Sequence, residues 1–163
     1  MTDKPDPPDA PVTLRPVTPD NVYAVVCLKV GPDQQGTVAT NSNSLAEAYV
    51  YPDRAWPRAI YAGDTPVGFL MLDLVGPDHP EAENGRASYF LWRLMVDADH
   101  QGHGYGSAAV RLAIEHVKTL PDAHALTSSY KQTNTAVAAF YKHLGFNPTG
   151  EIDGNEIVIR LDW

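Results

Sequence analysis

A loop with three glycines in five residues is the part of this chain whose spacing most directly indicates chemistry. Gly102, Gly104 and Gly106 follow the apolar run YFLWRLMV and precede a helix-like apolar pattern. The first N–H groups of a helix lack intrahelical partners and carry partial positive charge. Glycines let an anion approach such groups without a Cβ in the way. One glycine would satisfy a tight turn, so this loop predicts a phosphate-binding site.

Two phosphate-binding interpretations compete at this loop. The six residues from Gly104 to Ala109 fit the G-x-G-x-x-A variant of the dinucleotide fingerprint. That fingerprint also requires an acidic residue after the next strand, where this chain has Ser128, Ser129 and Tyr130. A P-loop is excluded, because no Gly-Lys-Ser/Thr follows. The glycines alone indicate an anion and do not separate a dinucleotide from another cofactor that carries a pyrophosphate.

Composition limits the classes of partner. The chain has 163 residues, 44% of them hydrophobic, which fits one globular domain with its own core. Its net charge of −8 argues against nucleic-acid binding and is compatible with a cationic or neutral small substrate. No apolar run approaches the roughly 18 residues that span a bilayer, and the N-terminus has no signal-peptide core. We therefore expect no nucleic-acid partner and no membrane partner.

Cysteine and histidine content limits other chemistries. Cys27 is the only cysteine, so no intramolecular disulfide forms and a cytoplasmic location is expected. Its apolar surroundings predict a small buried hydrophobe. His100 and His103 have no third ligand at metal-binding spacing, so no metal site is predicted. Without a G-x-S-x-G elbow or a base for Cys27, a covalent acyl-enzyme is not favoured.

The elements that must position the glycine loop follow from hydrophobic periodicity and from turn residues. Residues 1–11 are rich in proline and predict a disordered leader, and residues 12–163 predict one domain. Strands are predicted over residues 12–17, 57–63, 65–76, 86–97, 124–130, 147–153 and 155–163. The two hairpin turns fall at Gly63-Asp64 and Asp153-Gly154.

Four helices complete the pattern. The first is predicted from Thr18 to about Val30, and the second is capped by Ser42 or Asn43. The third spans about residues 104–120. The fourth has Asn134 as its N-cap and Gly145 as the glycine beyond its C-terminus. The order β-α-α-β-β-β-α-β-α-β-β predicts a mixed α/β (α+β) domain around one sheet.

Two segments together resemble the GNAT superfamily of acyl-CoA N-acyltransferases. The segment QGHGYG, residues 101–106, is similar to the family's Q/R-x-x-G-x-G/A pyrophosphate loop. The segment NTAVAAFYKHLGF resembles a later family helix, and the spacing and order of elements agree. The runs YFLWRLMVD and LGFNPTGEIDGNEIVIRL are similar to bacterial spermine/spermidine acetyltransferase-like members. The resemblance implies a mostly antiparallel sheet flanked by about four helices and a direct transfer of acetyl from acetyl-CoA to a small primary amine, with a polyamine as candidate.

The resemblance also implies which residues hold the cofactor. The strand residues that would run beside the pantetheine arm are Leu94, Met95 and Val96. The loop residues that would wrap the pyrophosphate, mostly through backbone N–H groups, are Gln101, Gly102, His103, Gly104, Tyr105, Gly106 and Ser107. His103 stands where the family often has Arg or Lys, and an exposed loop histidine is the alternative. Asn134 would reach the pantetheine or thiol region, or serve as the N-cap alone.

Tyr141 is the implied catalytic residue and a further cofactor contact. It lies on an apolar helical stripe, so a core tyrosine is the alternative, but the resemblance implies that its phenol protonates the departing CoA thiolate. A free alkyl amine has a pKa near 10, so a base is needed as well. Many relatives carry a carboxylate just before the L-x-V of the strand that precedes the glycine loop. This chain has Trp92 and Arg93 there. The candidate bases that remain are Glu47, Asp73, Glu151 and an ordered water chain.

Other acceptors and another class of protein stay open. An aminoglycoside or a protein α-amine is an alternative acceptor. A non-catalytic acyl-CoA-binding sensor is the alternative to an enzyme. The missing strand carboxylate favours it, and the presence of Tyr141 argues against it. A homodimer is a further expectation of the resemblance.

Overall fold

A computed structural model describes residues 10–163 of the chain. Its strands are β1 (Val12–Pro16), β2 (Ala55–Ala62), β3 (Thr65–Val75), β4 (Ser88–Val96), β5 (Ala125–Lys131), β6 (Asn147–Asp153) and β7 (Glu156–Asp162). Its α-helices are α1 (Val22–Cys27), α2 (Asn41–Val50), α3 (Tyr105–Lys118) and α4 (Thr135–His143). Short 3₁₀ helices lie at Pro32–Gln34, Glu83–Gly85 and Ala98–His100. The order of strands and α-helices is the one that the sequence predicts.

The seven strands form one sheet in the order β1-β2-β3-β4-β5-β7-β6. Every neighbouring pair is antiparallel except β4 and β5, which run parallel. Hairpins join β2 to β3 and β6 to β7, with Gly63 and Gly154 at positive φ in the turns, as the sequence predicts. The expected mixed, mostly antiparallel sheet with four helices is therefore confirmed.

The two faces of the sheet bury separate apolar clusters. One cluster joins α3 and α4 to the sheet through residues such as Leu70, Val110 and Phe146. The other joins α1 and α2 to the opposite face through residues such as Val25 and Phe69. The helix pairs thus cover the two faces, and the cleft described below opens between β4 and β5.

The predicted boundaries of α4 are confirmed. The Asn134 side chain accepts a hydrogen bond from the Val137 N–H at 3.1 Å, which caps the helix. Gly145, just past the end, has φ +95°. A residue with a Cβ is strained in that conformation, so the glycine sets the C-terminal stop.

The predictions for the first two helices are wrong in their limits. Helix α1 starts after Asn21 and ends at Cys27, because Leu28 is extended and the next N–H, from Lys29, donates to Asp97 at 2.8 Å. Helix α2 starts earlier than predicted, with Thr40 as its cap. The starting residue Asn41 is buried and donates to the Val25 carbonyl at 2.8 Å, which fixes α2 against α1.

Two further expectations concern the N-terminal part. Cys27 is exposed, so the expectation of a buried thiol is wrong; α1 is short and buries only Val25. The predicted disordered leader, residues 1–11, lies outside the described residues except for its last two. Of these, Pro11 accepts a hydrogen bond from the Gly63 N–H at 2.9 Å, and Ala10 packs against the core.

A histidine on α3 packs against an aromatic residue of β2. The rings of His116 and Trp56 stack at 4.1 Å, and the guanidinium of Arg58 lies 3.8 Å from the centre of the Trp56 ring on β2. Burial, and secondly the charge of Arg58, lower the pKa of His116. Burial and the charge of Arg58 therefore favour the neutral form of the His116 imidazole.

The part of the chain covered by the structure contains no helix with the length and apolarity needed to cross a membrane. Across the same residues, no group of three or more His, Cys, Asp or Glu side chains is arranged to hold a metal ion.

Candidate active site

A cleft of about 1,220 Å³ opens where β4 and β5 separate. The two strands pair only at Phe90 and Thr127, and beyond that point they diverge. The free edge of β4, the glycine loop, α4 and the segment between α1 and α2 line the cleft. An unpaired strand edge presents backbone N–H and C=O groups that an extended ligand can pair with. Leu94, Met95 and Val96 all lie on this edge.

A β-bulge in β4 shapes the wall of the cleft. Met71 pairs with Arg93 and Leu72 pairs with Leu91, so Trp92 is the extra residue. A bulge bends its strand and increases the local twist, which helps β4 to turn away from β5. Trp92 lines the cleft as a result.

The glycine loop lines the cleft at the start of α3. Gly102 and Gly104 have φ of +82° and +74°, and Gly104 is the N-cap of α3. No residue in the described range 10–163 accepts a hydrogen bond from the backbone N–H of Gly102, Gly104, Tyr105, Gly106 or Ser107. These groups line the cleft at the positive end of a 14-residue helix. Their arrangement fits an anion with several oxygens.

The other loop side chains have distinct surroundings. The Gln101 side-chain amide donates to the Val96 carbonyl at 3.0 Å and to Gln34 at 2.7 Å, so it ties the loop to the segment after α1. Tyr105 is buried in the core, which leaves only its backbone to the cleft. His103 stacks on Tyr105 at 5.6 Å and does not line the cleft. Of the implied cofactor residues, His103 is the one that the fold places outside it.

Tyr141 lies in the cleft on the inner face of α4. Its side chain is 6% exposed, and its ring makes edge contacts with Phe140 and Phe146 at 5.2 and 5.3 Å. The Ser128 hydroxyl lies 3.4 Å from the phenol oxygen and 3.0 Å from the Leu91 carbonyl. Burial raises the pKa of Tyr141 above its ordinary value; the Ser128 hydroxyl opposes this shift, and the charge of Glu156 adds to it. The phenol is therefore held in the protonated form that a general acid requires.

A comparison with protein families agrees with the cleft, with the buried Tyr141 phenol and with the unpaired backbone N–H groups of the glycine loop, here called the N–H cradle. The acetyltransferase (GNAT) family matches residues 31–146, which is more than half of the chain. The chain belongs to the GNAT acetyltransferase family. It is therefore an acyltransferase, an acetyl-CoA-dependent N-acetyltransferase, and the predicted family, enzyme class and cofactor are confirmed.

Individual GNAT proteins show the range of similarity. The chain is 28% identical over 155 residues to the spermine/spermidine N(1)-acetyltransferase of Bacillus subtilis, covering 91% of this chain and 97% of that protein. It is 31% identical over 99 residues to the peptidyl-lysine N-acetyltransferase YjaB of Salmonella typhimurium, covering 61% of this chain and 54% of that protein. The solved structure of Mycobacterium smegmatis RimJ in complex with CoA-disulfide matches with a TM-score of 0.71 and 21% identity, over 95% of this chain and 83% of that one.

The three carboxylates that the sequence offers as bases in this GNAT enzyme lie outside the cleft lining. Glu47, on α2, pairs with Arg93 at 2.9 Å. Asp73, on β3, accepts from Arg54 at 2.6 Å. Glu151 is exposed on the edge strand β6. Two of the three are thus committed to arginine partners.

Four cleft residues that add negative charge or lie within hydrogen-bonding distance of Tyr141 were not predicted as site residues. They are Asp33, Ser128, Asp153 and Glu156. Glu156 reaches the cleft only because β7 pairs with β5, where the Ser129 hydroxyl donates to it. No local pattern signals that neighbourhood. The turn at Gly154 did mark the hairpin that carries Asp153 and Glu156 to this end of the sheet.

Proposed function

We propose that this GNAT enzyme acetylates a primary amine of a small aliphatic polyamine such as spermidine, by direct attack of the amine on acetyl-CoA. The similarity to the Bacillus spermine/spermidine N(1)-acetyltransferase over 91% of the chain supports this acceptor class. The single observation that carries the proposed chemistry is the buried phenol of Tyr141 in the same cleft as the unpaired N–H groups of the glycine loop.

The cleft has the groups that binding of acetyl-CoA requires. When bound, acetyl-CoA supplies an activated acetyl thioester with a thiol leaving group. The N–H groups of the glycine loop would bind its pyrophosphate, and the free edge of β4 at Leu94, Met95 and Val96 would pair with its pantetheine arm. The Asn134 oxygen caps α4. That residue therefore contributes to the cleft chiefly by fixing the start of the helix that carries Tyr141.

Tyr141 would give its phenolic proton to the departing thiolate. Its raised pKa keeps that proton in place near neutral pH. Ser128 would orient the phenol, because its hydroxyl lies close to both the phenol oxygen and the Leu91 carbonyl of β4. A positioned acid of this kind contributes typically 10²- to 10⁴-fold in rate.

The charge of the cleft supports a cationic acceptor. Asp33, Asp153 and Glu156 line it. Of the two Lys and Arg residues that line it within residues 10–163, Arg93 pairs with Glu47 at 2.9 Å and Lys131 donates a 2.8 Å hydrogen bond to the Gly36 carbonyl. Trp92 also lines the cleft, and an aromatic side chain there can attract an alkylammonium. A whole-chain charge of −8 would draw a polycation toward the protein.

A lysine side chain of a protein is the second candidate acceptor, favoured by the similarity to YjaB. An aminoglycoside, a protein α-amine and a non-catalytic sensor function are further outcomes of the same test. The test is acetyl-CoA turnover with spermidine, spermine, an aminoglycoside, a lysine-containing peptide and a peptide with a free N-terminus. We expect the highest kcat/KM with a polyamine. A higher kcat/KM with any peptide or with the aminoglycoside would refute the polyamine assignment, and acetyl-CoA binding without any turnover would favour the sensor.

A further inference from the structure

Glu156 is the half-buried carboxylate of the cleft. The acidic side chains that line the cleft are Asp33, Asp153 and Glu156, and the first two are exposed. None of the ion pairs among residues 10–163 involves Glu156. A partly buried carboxylate without a cationic partner favours a cation from outside the chain.

Glu156 is held in place by the neighbouring strand. It is the first residue of β7 and pairs in register with Lys131 of β5. The Ser129 hydroxyl donates a short hydrogen bond to Glu156 Oε2. Lys131 is directed elsewhere, because its ammonium donates to the Gly36 carbonyl. The serine thus orients the carboxylate and leaves its charge uncompensated.

Alternation along β5 separates this carboxylate from the acid. Ser128 and Tyr130 lie toward α4, where Tyr130 stacks on Tyr141 at 6.3 Å. Ser129 and its partner Glu156 therefore lie on the opposite face, which Lys131 shares where it reaches the segment between α1 and α2. The two faces meet at the cleft, which all of these residues line. The Tyr141 phenol and the Glu156 carboxylate therefore approach the cleft from different faces of the sheet, which suits transfer of an acetyl group from a thioester on one side to an amine on the other.

We propose that Glu156 receives the ammonium group of the acceptor amine and takes its proton. This inference rests on the proposed function and supplies the base that β4 lacks. Glu156 accepts one proton from the ammonium, and the freed lone pair forms the N–C bond to the acetyl carbonyl carbon. As the C–S bond breaks, Tyr141 protonates the sulfur and then recovers a proton from the new amide nitrogen. Glu156 releases its proton to water, so the net products are the N-acetyl amine, the free thiol and one proton.

The test compares Glu156→Gln with Asp162→Asn, a matched loss of a carboxylate at the other end of β7, exposed and outside the cleft lining. The amine is the one from the panel above that the wild-type enzyme turns over fastest, so the test does not depend on that amine being a polyamine. We expect Glu156→Gln to lower kcat/KM for the amine by about 100-fold, through a higher KM and a lower kcat. Asp162→Asn removes only an exposed pair with Arg160 and should stay within about threefold of wild type. Both variants should keep the wild-type Kd for acetyl-CoA, measured by calorimetry.

A second variant separates the orientation of the Glu156 carboxylate from its charge. Ser129→Ala keeps the carboxylate and removes its hydrogen bond, so we expect a smaller loss, on the order of threefold to tenfold in kcat/KM. The inference is wrong if Glu156→Gln stays within threefold of wild type, or if it weakens acetyl-CoA binding as much as turnover. Failure of the polyamine proposal would appear differently, as a peptide or aminoglycoside preferred by the wild-type enzyme.

Discussion

Replacement of Tyr141 by Phe isolates the phenolic proton from the packing of the ring. The ring contacts to Phe140 and Phe146 are kept in the variant. The phenol hydroxyl that the variant lacks has one hydrogen-bond partner, the Ser128 hydroxyl at 3.4 Å. In the variant, Ser128 can still donate to the Leu91 carbonyl at 3.0 Å. No buried polar group is therefore left without a partner, and the free energy of unfolding should fall by less than about 1 kcal/mol.

The effect on the reaction should be much larger than the effect on stability. Loss of a general acid predicts a fall in kcat of about 100- to 1,000-fold. The N–H cradle lies on α3 and the loop before it, so the Kd for acetyl-CoA should change by less than about threefold. Because the pKa of Tyr141 is raised, the wild-type enzyme should show no loss of rate from ionisation of this group below about pH 10.

The assay follows release of the CoA thiol with a chromogenic thiol reagent. Cys27 is exposed and will react with the reagent, so each rate needs a blank without the amine, or both proteins can carry Cys27→Ser. A Tyr141→Phe enzyme with kcat within threefold of wild type would refute the acid role. A parallel loss of acetyl-CoA affinity would show that Tyr141 acts in binding instead.

Two further predictions test the glycine loop and the histidine stack. Gly104→Ala and Gly150→Ala each place a Cβ at positive φ, φ +74° and +91°, and should cost a similar 1–2 kcal/mol or so of stability. Only Gly104→Ala should also weaken acetyl-CoA binding, by at least about tenfold in calorimetry, and equal affinities in the two variants would contradict the phosphate-loop assignment. The pKa of His116 is lowered in the folded state, so the unfolded state binds the proton more tightly and stability should fall as pH drops below about 6.5. The melting temperature of His116→Phe, which keeps a ring in the stack, should depend less on pH between 7.5 and 5.5; parallel curves for the two proteins would argue against this role.

Local chemistry made the loop and α4 predictable from sequence. Gly145 takes the left-handed conformation that commonly follows a helix end, the Asn134 cap acts over three residues, and three glycines in the loop mark a close approach to the backbone. The end of α1 was not predictable, because it depends on a bond from Lys29 to Asp97, 68 residues away. Strand order was likewise hidden in the sequence. The contact of Ser129 with Glu156 follows from that order, so the residue pattern offers Glu47, Asp73 and Glu151 as bases and not Glu156.

The missing carboxylate on β4 has a physical explanation in the bulge. Trp92, as the extra residue, occupies the cleft wall, and the next residue, Arg93, is directed to α2, where it pairs with Glu47 at 2.9 Å. An acidic residue in place of Arg93 would be repelled by Glu47 instead of pairing with it. The pairing also compensates the charge of an arginine in the cleft lining, which would otherwise repel an ammonium. If Glu156 is the base, then Glu47→Gln should raise the KM for the amine modestly through the exposed charge of Arg93, and leave kcat unchanged. A large fall in kcat in that variant would instead return the base to α2.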